Sequence, residues 1–309
     1  MPAKKHLTGD IRIGISGWNY AGWRGVFYPP KLAHKRELAH ASDAFPTIEI
    51  NGTHYSLQHP EDFARWAEET PKDFVFAIKG SRYITHMKRL REPEAGLANF
   101  FAQGLLRLGP KLGPILWQFP PNFRFDRERI EPFLALLPDD SEAALKLARR
   151  HDQRIAGRTW LKIDKKRKLR HAMEIRHESF VTPEFVALLR KYGVALVCAD
   201  TVDWPLLMDV TSDFIYCRLH GSEQLYASGY DATAIAAWAK RVAAWAQGEE
   251  APDGARASPR PAVKRTRRDV FVYFDNDAKV RAPFDAQALI TAVDKRLASA
   301  DGTARLRTR

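Results

Sequence analysis

Acidic and basic side chains recur in this sequence at the ends of short apolar runs. Glu49, Glu174, Asp200, His220 and Asp275 are residue types that act as general acids and bases. The same carboxylates and imidazole could also hold a divalent cation that activates water, as in the hydrolysis of phosphate esters. These five are the candidate catalytic residues and the candidate ligands if a metal ion binds. No metal motif with diagnostic spacing occurs, so the sequence leaves the cofactor undetermined.

A second group of side chains has the chemistry to bind a substrate. Lysine and arginine donate to anionic groups, and arginine suits phosphate or carboxylate because it can contact both oxygens at once. Aromatic rings could stack on a sugar or a base, although packing of a loop is an equally good reason for Trp18, Trp23, Tyr28 and Tyr55. The candidate binding residues are Trp18, Asn51, Tyr55, Lys79, His86, Gln118, Arg176, His177, Arg218, Asn276 and Asp277.

These residues belong to eight apolar segments of strand length, which alternate with helical patterns. The predicted strands are Ile11–Gly17, Thr47–Asn51, Val75–Gly80, Pro114–Phe119, Ala172–Arg176, Ala195–Asp200, Asp213–His220 and Val270–Asp277. The predicted helices are Pro30–Ala44, Pro60–Glu69, Glu94–Leu108, Asp126–Leu137, Pro183–Tyr192, Ala232–Gln247 and Asp285–Ala298. The link between predicted strands six and seven is too short for a full helix. This order predicts an α/β protein, a single (β/α)8 TIM-type barrel over residues 1–300, with an open doubly wound sheet as the alternative.

Alternation along the strands predicts which side chains face the inside of the barrel. In most strands one face is apolar, whereas the other starts small or apolar and ends polar at the carboxyl end. We expect Glu49, Lys79, Glu174, Arg176, Asp200, Arg218, His220 and Asp275 to converge there, where barrel enzymes place their sites. Taken singly, a Glu174–Arg176 or a Glu49–Lys79 pair could be only a satisfied buried ion pair. Removing so many charges from water is costly unless they pair or serve a site.

The net charge of +12 is concentrated in two short segments. Residues 162–170 carry six basic residues against Asp164, and residues 253–268 carry six against Asp253. Both precede a predicted strand, so we expect them at the end of the barrel opposite the polar mouth. Pro252–Arg268 has a composition typical of a mobile loop, and residues 301–309 are predicted to fray.

Composition also limits the class of protein. Cys198 and Cys217 lie in apolar runs, which predicts buried thiols and excludes a disulfide scaffold or a four-cysteine zinc site. No signal peptide and no apolar stretch of membrane-spanning length is visible, so we expect a cytoplasmic protein without a membrane partner. The sequence does not indicate an oligomeric state.

Motifs at the ends of most strands resemble those of one known family. They are Gly14-x-Ser16-Gly17-Trp18, Trp23-x-Gly25-x-Phe27-Tyr28-Pro29, Glu49-x-Asn51-x-Thr53-x-Tyr55, Thr70-Pro71, Phe76-Ala77-x-Lys79, Thr85-His86, Gln118-x-Pro120-Pro121, Glu174-x-Arg176-His177, Arg218-x-His220-Gly221 and Phe274-Asp275-Asn276-Asp277. Over nearly the whole chain the sequence is similar to the YecE-like family, domain of unknown function 72. The resemblance implies a TIM-barrel-like fold and no particular activity. It also implies that Asp139–Arg170, before strand five, and the basic Pro252–Arg268 loop, before strand eight, are insertions or variable regions relative to the family's compact core.

Three functions are compatible with these residues. The first is a hydrolase or lyase acting on a phosphorylated or nucleic-acid-derived substrate, with a small anionic ligand in the mouth. The second is another barrel enzyme, such as a sugar isomerase or a glycosidase-like hydrolase with two carboxylates. The third is a non-catalytic protein that associates with nucleic acid through its basic loops. No helix-turn-helix, zinc-finger or RNA-binding-sheet signature supports the third function.

Overall fold

Eight parallel strands close into a barrel in chain order. The computed structural model describes residues 8–221 and 228–307. The strands are β1 (Ile11–Ser16), β2 (Thr47–Ile50), β3 (Val75–Lys79), β4 (Leu112–Gln118), β5 (His171–Glu174), β6 (Ala195–Asp200), β7 (Phe214–Leu219) and β8 (Asp269–Phe274). Each strand pairs with its neighbours in sequence, and β8 pairs with β1. The predicted TIM-type barrel is confirmed.

Helices surround the barrel and fill most of the connections. They are α1 (Glu37–Ala44), α2 (Gly52–Tyr55), α3 (Pro60–Glu68), α4 (Pro93–Ala102), α5 (Arg127–Leu136), α6 (Ser141–Ala148), α7 (Pro183–Tyr192), α8 (Ala232–Ala246) and α9 (Arg281–Arg307). Residues 201–213, all of which the structure describes, contain no helix, as the length of this link predicted. One helical connection of the regular eightfold pattern is therefore absent between β6 and β7.

The core consists of two layers that follow the alternation of the strands. Ile48, Ile78 and Val272 belong to the outer layer, which packs against the helices. Ala77, Leu116 and other inward side chains fill the barrel itself. Because the inner layer ends at these residues, the next inward position of each strand opens toward the carboxyl-terminal mouth.

Three elements differ from the sequence-based prediction. The predicted helix Glu94–Leu108 ends early, because the backbone at Gly104 has φ of +120° and is not helical. Glycine is required there, since a Cβ would lie 2.6 Å from Pro60 Cα. The predicted helix Pro30–Ala44 is α-helical only from Glu37, after Lys31 at φ of 65°. The variable insertion contains α6, whose first turn is capped by the Asp140 carboxylate accepting from the Glu142 and Ala143 N–H groups.

The basic segment before β8 makes specific contacts that its composition did not predict. The buried carboxylate of Asp209 accepts hydrogen bonds from the backbone N–H groups of Ala257, at 2.7 Å, and Ser258, at 3.0 Å. Arg268 is 2% exposed and its guanidinium donates to the carbonyl groups of Gly248 and Val263. Arg268 is therefore a structural residue, whereas mobility of the rest of the segment stays a prediction.

The last helix extends further than predicted. It continues to Arg307, past the point where the sequence predicted fraying, and residues 308 and 309 lie outside the described residues. Within the described part of the chain, no helix combines the length and the apolar character needed to cross a bilayer.

Candidate functional site

Arg218, at the end of β7, is the centre of the polar cluster inside the barrel. Its side chain is fully buried, and its guanidinium contacts three carboxylates. Nη2 lies 3.0 Å from Glu49 Oε1 and 2.8 Å from Asp275 Oδ2, while Nη1 lies 2.8 Å from Glu174 Oε2. These charges are removed from water, so each is stabilised by the others rather than by solvent.

Hydroxyl groups complete the surroundings of Glu49. Ser16 Oγ, on the neighbouring strand β1, donates to Glu49 Oε1 at 2.5 Å, and Tyr216 Oη donates to Glu49 Oε2 at 2.5 Å. Asn51 Nδ2 donates to Ser16 Oγ at 3.1 Å, which connects this network to the mouth above it. Every oxygen of the Glu49 carboxylate is therefore engaged below the cavity floor.

Glu174, at the end of β5, holds two side chains that reach the mouth. Its Oε1 accepts from Gln118 Nε2 at 2.9 Å and from Arg176 Nε at 2.8 Å. The guanidinium of Arg176 also stacks 3.7 Å from the centre of the Trp204 ring. Burial alone would raise the pKa of Glu174, but Arg218 and Arg176 outweigh it and hold this pKa well below its ordinary value. A carboxylate so stabilised is a poor base, and its geometry suits positioning of Arg176 and Gln118.

Asp275 joins the buried cluster to the cavity. Besides Arg218, its Oδ2 lies 3.1 Å from His220 Nδ1. Burial favours the neutral acid, but the charge of Arg218 and the hydrogen bond with His220 hold the pKa of Asp275 far below its ordinary value. Asp275 is therefore ionised throughout the physiological range.

A cavity of about 770 Å³ opens at the carboxyl ends of the strands, directly above the cluster. Glu49, Glu174, Arg218 and His220 lie beneath its floor rather than on its walls. The wall consists of aromatic, amide and ionisable side chains together with backbone from the first loops. The lining residues are Gly17, Trp18, Asn19, Tyr20, Ile50, Asn51, Gly52, His54, Tyr55, Trp66, Lys79, Arg82, His86, Gln118, Arg176, Asp275 and Asp277.

Lys79, at the end of β3, is a buried basic side chain on the wall of the cavity. It is 6% exposed, and no described residue accepts a hydrogen bond from its ammonium group or forms an ion pair with it. Burial, and next the charge of Arg218, lower its pKa, which the acids of the cluster oppose. The Glu49–Lys79 ion pair considered from the sequence is therefore not formed, because Glu49 pairs with Arg218 instead.

Two histidines stand beside Lys79 on the same wall. His86 lies on a π-helical turn, Tyr83–Met87, and its ring meets the ring of His54 at 5.1 Å. His54 Nδ1 lies 2.8 Å from the Gly80 carbonyl oxygen, so this nitrogen carries the proton. Burial and then Lys79 lower the pKa of His54 to about 3. Burial, followed by Arg176, Arg82 and Lys79, lowers the pKa of His86 to about 4.

Asp277 is the titratable carboxyl group of the cavity. Burial, and then the negative charge of Asp275, raise its pKa to about 6. The two neighbouring carboxyl groups thus have pKa values shifted in opposite directions by their surroundings. Such a split is the arrangement that lets one acid exchange protons near neutral pH while the other stays charged.

The prediction for Asp200 was wrong, because β6 has the opposite alternation. Asp200 pairs in register with Leu219, whereas Ala199 pairs with the inward Arg218. The Asp200 carboxylate faces the outer helices, where Trp238 Nε1 donates to it at 3.1 Å. Asp200 therefore belongs to the barrel wall and not to the mouth.

Other candidate residues also have structural partners away from the cavity. His177 Nδ1 accepts from the backbone N–H of Ser179 at 3.0 Å and so caps a short 3-10 helix. Asn276 Nδ2 donates to Asp285 Oδ2 at 2.7 Å, which ties β8 to α9. Trp23 and Tyr28 are buried in the loop packing. Trp18 and Tyr55, in contrast, line the cavity.

The cluster does not present a metal site. Among the described residues, no three His, Cys, Asp or Glu side chains are arranged to hold a metal ion. Of the five candidate ligands, Asp200 points away, and the guanidinium of Arg218 occupies the point where Glu49, Glu174 and Asp275 converge. Three of the carboxylates that the sequence suggested as metal ligands therefore already form ion pairs with Arg218.

Several residues of the site were missed from the sequence. Ser16 and Tyr216 occupy inward-facing positions of their strands. This alternation could have identified Ser16 as a neighbour of Glu49 and Tyr216 as a neighbour of Arg218. Tyr20, His54, Trp66 and Arg82 lie in loops or helices, where no two-residue period reports orientation. Only the path of the chain over the mouth brings these four to the cavity.

Comparison with known proteins agrees with this architecture. A family model described as "Protein of unknown function DUF72" matches residues 12–307. The chain belongs to the DUF72 family. The UPF0759 protein YunF of Bacillus subtilis is 32% identical over 125 residues, which are 39% of this chain and 43% of that protein. The UPF0759 protein YecE of Escherichia coli is 29% identical over 113 residues, 37% of this chain and 39% of that protein. These matches span about two fifths of the curated DUF72 relatives.

Solved structures of DUF72 proteins have the same fold. One from Thermotoga maritima superposes with a TM-score of 0.68 at 22% identity, covering 92% of this chain and 99% of that one. A structure from Enterococcus faecalis gives a TM-score of 0.62 at 17% identity, covering 94% and 99%. At these identities the likeness establishes the fold, and the resemblance to the YecE-like family drawn from the motifs is confirmed.

Proposed function

We propose that this DUF72 protein is a hydrolase or lyase that acts on a small phosphorylated substrate bound in the mouth cavity. The pair of arginines beside His86, Arg176 and Arg82, carries this proposal. After burial, Arg176 and then Arg82 lower the pKa of that imidazole. A bound dianion would offset their mutual repulsion, and arginine matches the geometry of phosphate oxygens.

Arg82 is the arginine of this wall without an ion-pair partner among the described residues. Arg82 is exposed to the cavity and, within the described residues, its only contact of note is with the ring of Tyr55, 6.0 Å from its centroid. Arg176 is held in place by Glu174 and Trp204. Arg82 and Arg176 would bind the phosphoryl group, and Trp18 and Tyr55 would pack against the carbon skeleton.

Asp277 would supply the proton transfer. Its raised pKa places the change between acid and base near pH 6, where a general catalyst works best. Asp275, kept ionised by Arg218, keeps that pKa raised and lines the same cavity. Proton transfer of this kind serves both a hydrolase reaction and a lyase reaction without a metal ion.

Isothermal titration calorimetry with inorganic phosphate tests the anion site. We expect Arg82→Gln to weaken phosphate binding about tenfold, because one charge-assisted contact is worth about 1.4 kcal/mol. Arg267→Gln, an equally exposed arginine at the other end of the barrel, is the matched control and should bind phosphate normally. Unchanged affinity in Arg82→Gln would contradict the proposed site.

Turnover measurements separate an enzyme from a binding protein. With a panel of phosphate esters and phosphorylated sugars, Asp277→Asn should lower kcat about 100-fold while phosphate affinity is retained. If the wild-type protein binds phosphate and converts no member of the panel, a non-catalytic role is favoured.

A sugar-processing enzyme is the second candidate. The opposite pKa shifts of Asp275 and Asp277, next to the Trp18 ring, are also what a glycosidase-like mechanism uses. Hydrolysis of uncharged aryl glycosides, unaffected by Arg82→Gln, would favour this function over the first.

A further inference from the structure

Among the described residues two lysines are deeply buried, Lys79 and Lys111, and they differ in hydrogen bonding. Lys111 is 8% exposed, and its ammonium donates to the Ala67 carbonyl at 2.6 Å and to the carbonyl and hydroxyl groups of Thr70 at 2.7 and 3.0 Å. Lys79 is 6% exposed and has no acceptor among the described residues. Both are buried, but only Lys79 is left without hydrogen bonds at the wall of a large cavity.

An ammonium group in that position is costly, which favours the neutral amine. Burial lowers the pKa of this amine most, and the charge of the Arg218 guanidinium lowers it further against the opposing carboxylates. Desolvation next to a second cation is a recognised way to activate a lysine amine as a nucleophile. The anion-binding arginines are separate residues, so Lys79 is not needed to hold a phosphoryl group.

We propose that Lys79 forms an imine with the carbonyl carbon of an anionic aldehyde or ketone bound in the cavity. This inference rests on the proposed function, and it specifies that function as a lyase acting on a substrate with a carbonyl group. The amine nitrogen forms a bond to the carbonyl carbon, whose oxygen leaves as water with the two amine protons. One further proton from solvent converts the imine into its cationic form.

The charges beneath the cavity are suited to that cationic imine. Glu49, Glu174 and Asp275 are three carboxylates, and the guanidinium groups of Arg218 and Arg176 compensate two of them. One negative charge remains near the Lys79 position; it opposes the lowering of the Lys79 pKa, which burial and then the charge of Arg218 still dominate, and it would favour a positive imine once formed. An iminium would therefore be stabilised where it forms. It would accept the electron pair released when the bond between the substrate carbons α and β to the imine carbon breaks.

The test is residue-resolved reductive trapping on the wild-type protein. Pyruvate, an anionic ketone, is incubated with the protein at pH 7 and cyanoborohydride, and labelled lysines are quantified by peptide mass spectrometry. We expect Lys79 to be labelled at least tenfold faster than the exposed Lys72, because each unit by which the pKa falls gives about tenfold more neutral amine. Lys111 is the matched buried control and should stay unlabelled.

The outcomes distinguish this inference from the proposed function. Labelling of Lys79 no faster than that of Lys72 overturns the imine, even if calorimetry shows phosphate bound at Arg82. Fast labelling of Lys79 that excess inorganic phosphate does not slow supports the imine and contradicts the anion site. Fast labelling that phosphate slows supports both. Lys79→Arg keeps a basic side chain of similar length and removes the amine nucleophile, so any pyruvate-dependent product must disappear in that variant.

Discussion

The two ends of the barrel use the same kinds of charged side chain in opposite ways. At the carboxyl ends of the strands, Arg218 meets Glu174 with both side chains fully buried. At the amino ends, Arg170 meets Asp269 at a similar distance of 2.7 Å, but both side chains are about a quarter to a third exposed. The geometry of the two pairs is alike, and only their access to water differs.

That difference separates structural charge from functional charge. At the amino ends, basic residues pair with nearby acids or extend into solvent, where a lysine or arginine needs no partner. At the mouth, burial favours pairing of each charge, and Lys79 stands out because no described residue forms a hydrogen bond or ion pair with its amine. The large positive charge in the sequence therefore belongs mostly to the end that lies away from the candidate site.

The largest expected difference between the ends is in stability. Arg218→Met leaves three buried carboxylates without their common partner, and we expect a loss of about 3–5 kcal/mol in the free energy of unfolding. Arg170→Met makes the same chemical change in a partly exposed pair and should cost about 0–1 kcal/mol. Urea unfolding followed by circular dichroism measures both. Equal losses would show that burial does not distinguish the two ends.

The pH dependence of stability should have opposite signs at the two ends. The pKa of Asp277 is raised to about 6 in the folded protein, so its contribution is full below about pH 4 and is lost as pH rises through 6. Burial would also raise the pKa of Asp213, but a hydrogen bond from Lys168 and the charge of Arg170 lower it. The stability from Asp213 is therefore present above about pH 4 and is lost as pH falls below that value.

Two asparagine variants measure this contrast. Relative to the wild type, Asp277→Asn should be about 1–2 kcal/mol more stable at pH 8 than at pH 4, after allowance for partial solvation. Relative to the wild type, Asp213→Asn should be less stable at about pH 4 than at about pH 2, because the stability from the Asp213 carboxylate is lost below about pH 4. Urea unfolding at about pH 2, 4 and 8 measures both variants, and a relative stability that moves in the same direction with rising pH in both would refute the assigned environments.

Titration of two histidines, His86 and His171, compares the candidate site with the opposite end of the barrel. Burial and three cations lower the pKa of His86 to about 4, whereas burial alone dominates the lowering for His171, also to about 4, at the start of β5. Phosphate bound between the cations should raise the pKa of His86 by about one unit and leave that of His171 unchanged. Two-dimensional NMR of the imidazole groups follows both. An unmoved His86 would place the anion elsewhere.

The smallest expected effect concerns polyanions at the amino ends. Arg265 and Arg267 are exposed and have no ion-pair partner among the described residues, so Gln at both positions should reduce the salt slope of single-stranded DNA binding by about 0.7 per lost phosphate contact. Arg82→Gln, at the mouth, should leave that slope unchanged. If the mouth variant changes the slope instead, nucleic acid binds at the candidate site.

Much of the architecture was determined by local sequence. The two-residue period separates Ile48 and Ile50 from Glu49, and it separates Cys217 and Leu219 from Arg218, because one face of these strands is polar at its end. That contrast predicted the strands, the barrel and the inward orientation of the main cluster. In β6 both faces of Ala195–Ala199 are apolar, so the alternation contained no such contrast and Asp200 was assigned to the wrong side.

Which charged residues form ion pairs was decided only by the tertiary structure. The same is true of the position of Lys79, which forms no ion pair with a described residue. From the sequence, Glu49 was as good a partner for Lys79 as for Arg218, because residue type specifies charge but not distance across a barrel. Closure of β7 opposite β2 and β5 gives Arg218 the reach to Glu49 and Glu174 and leaves Lys79 facing the cavity. Pair energies in a buried site depend on separations of a few ångströms, and such separations between distant strands exist only after the barrel has closed.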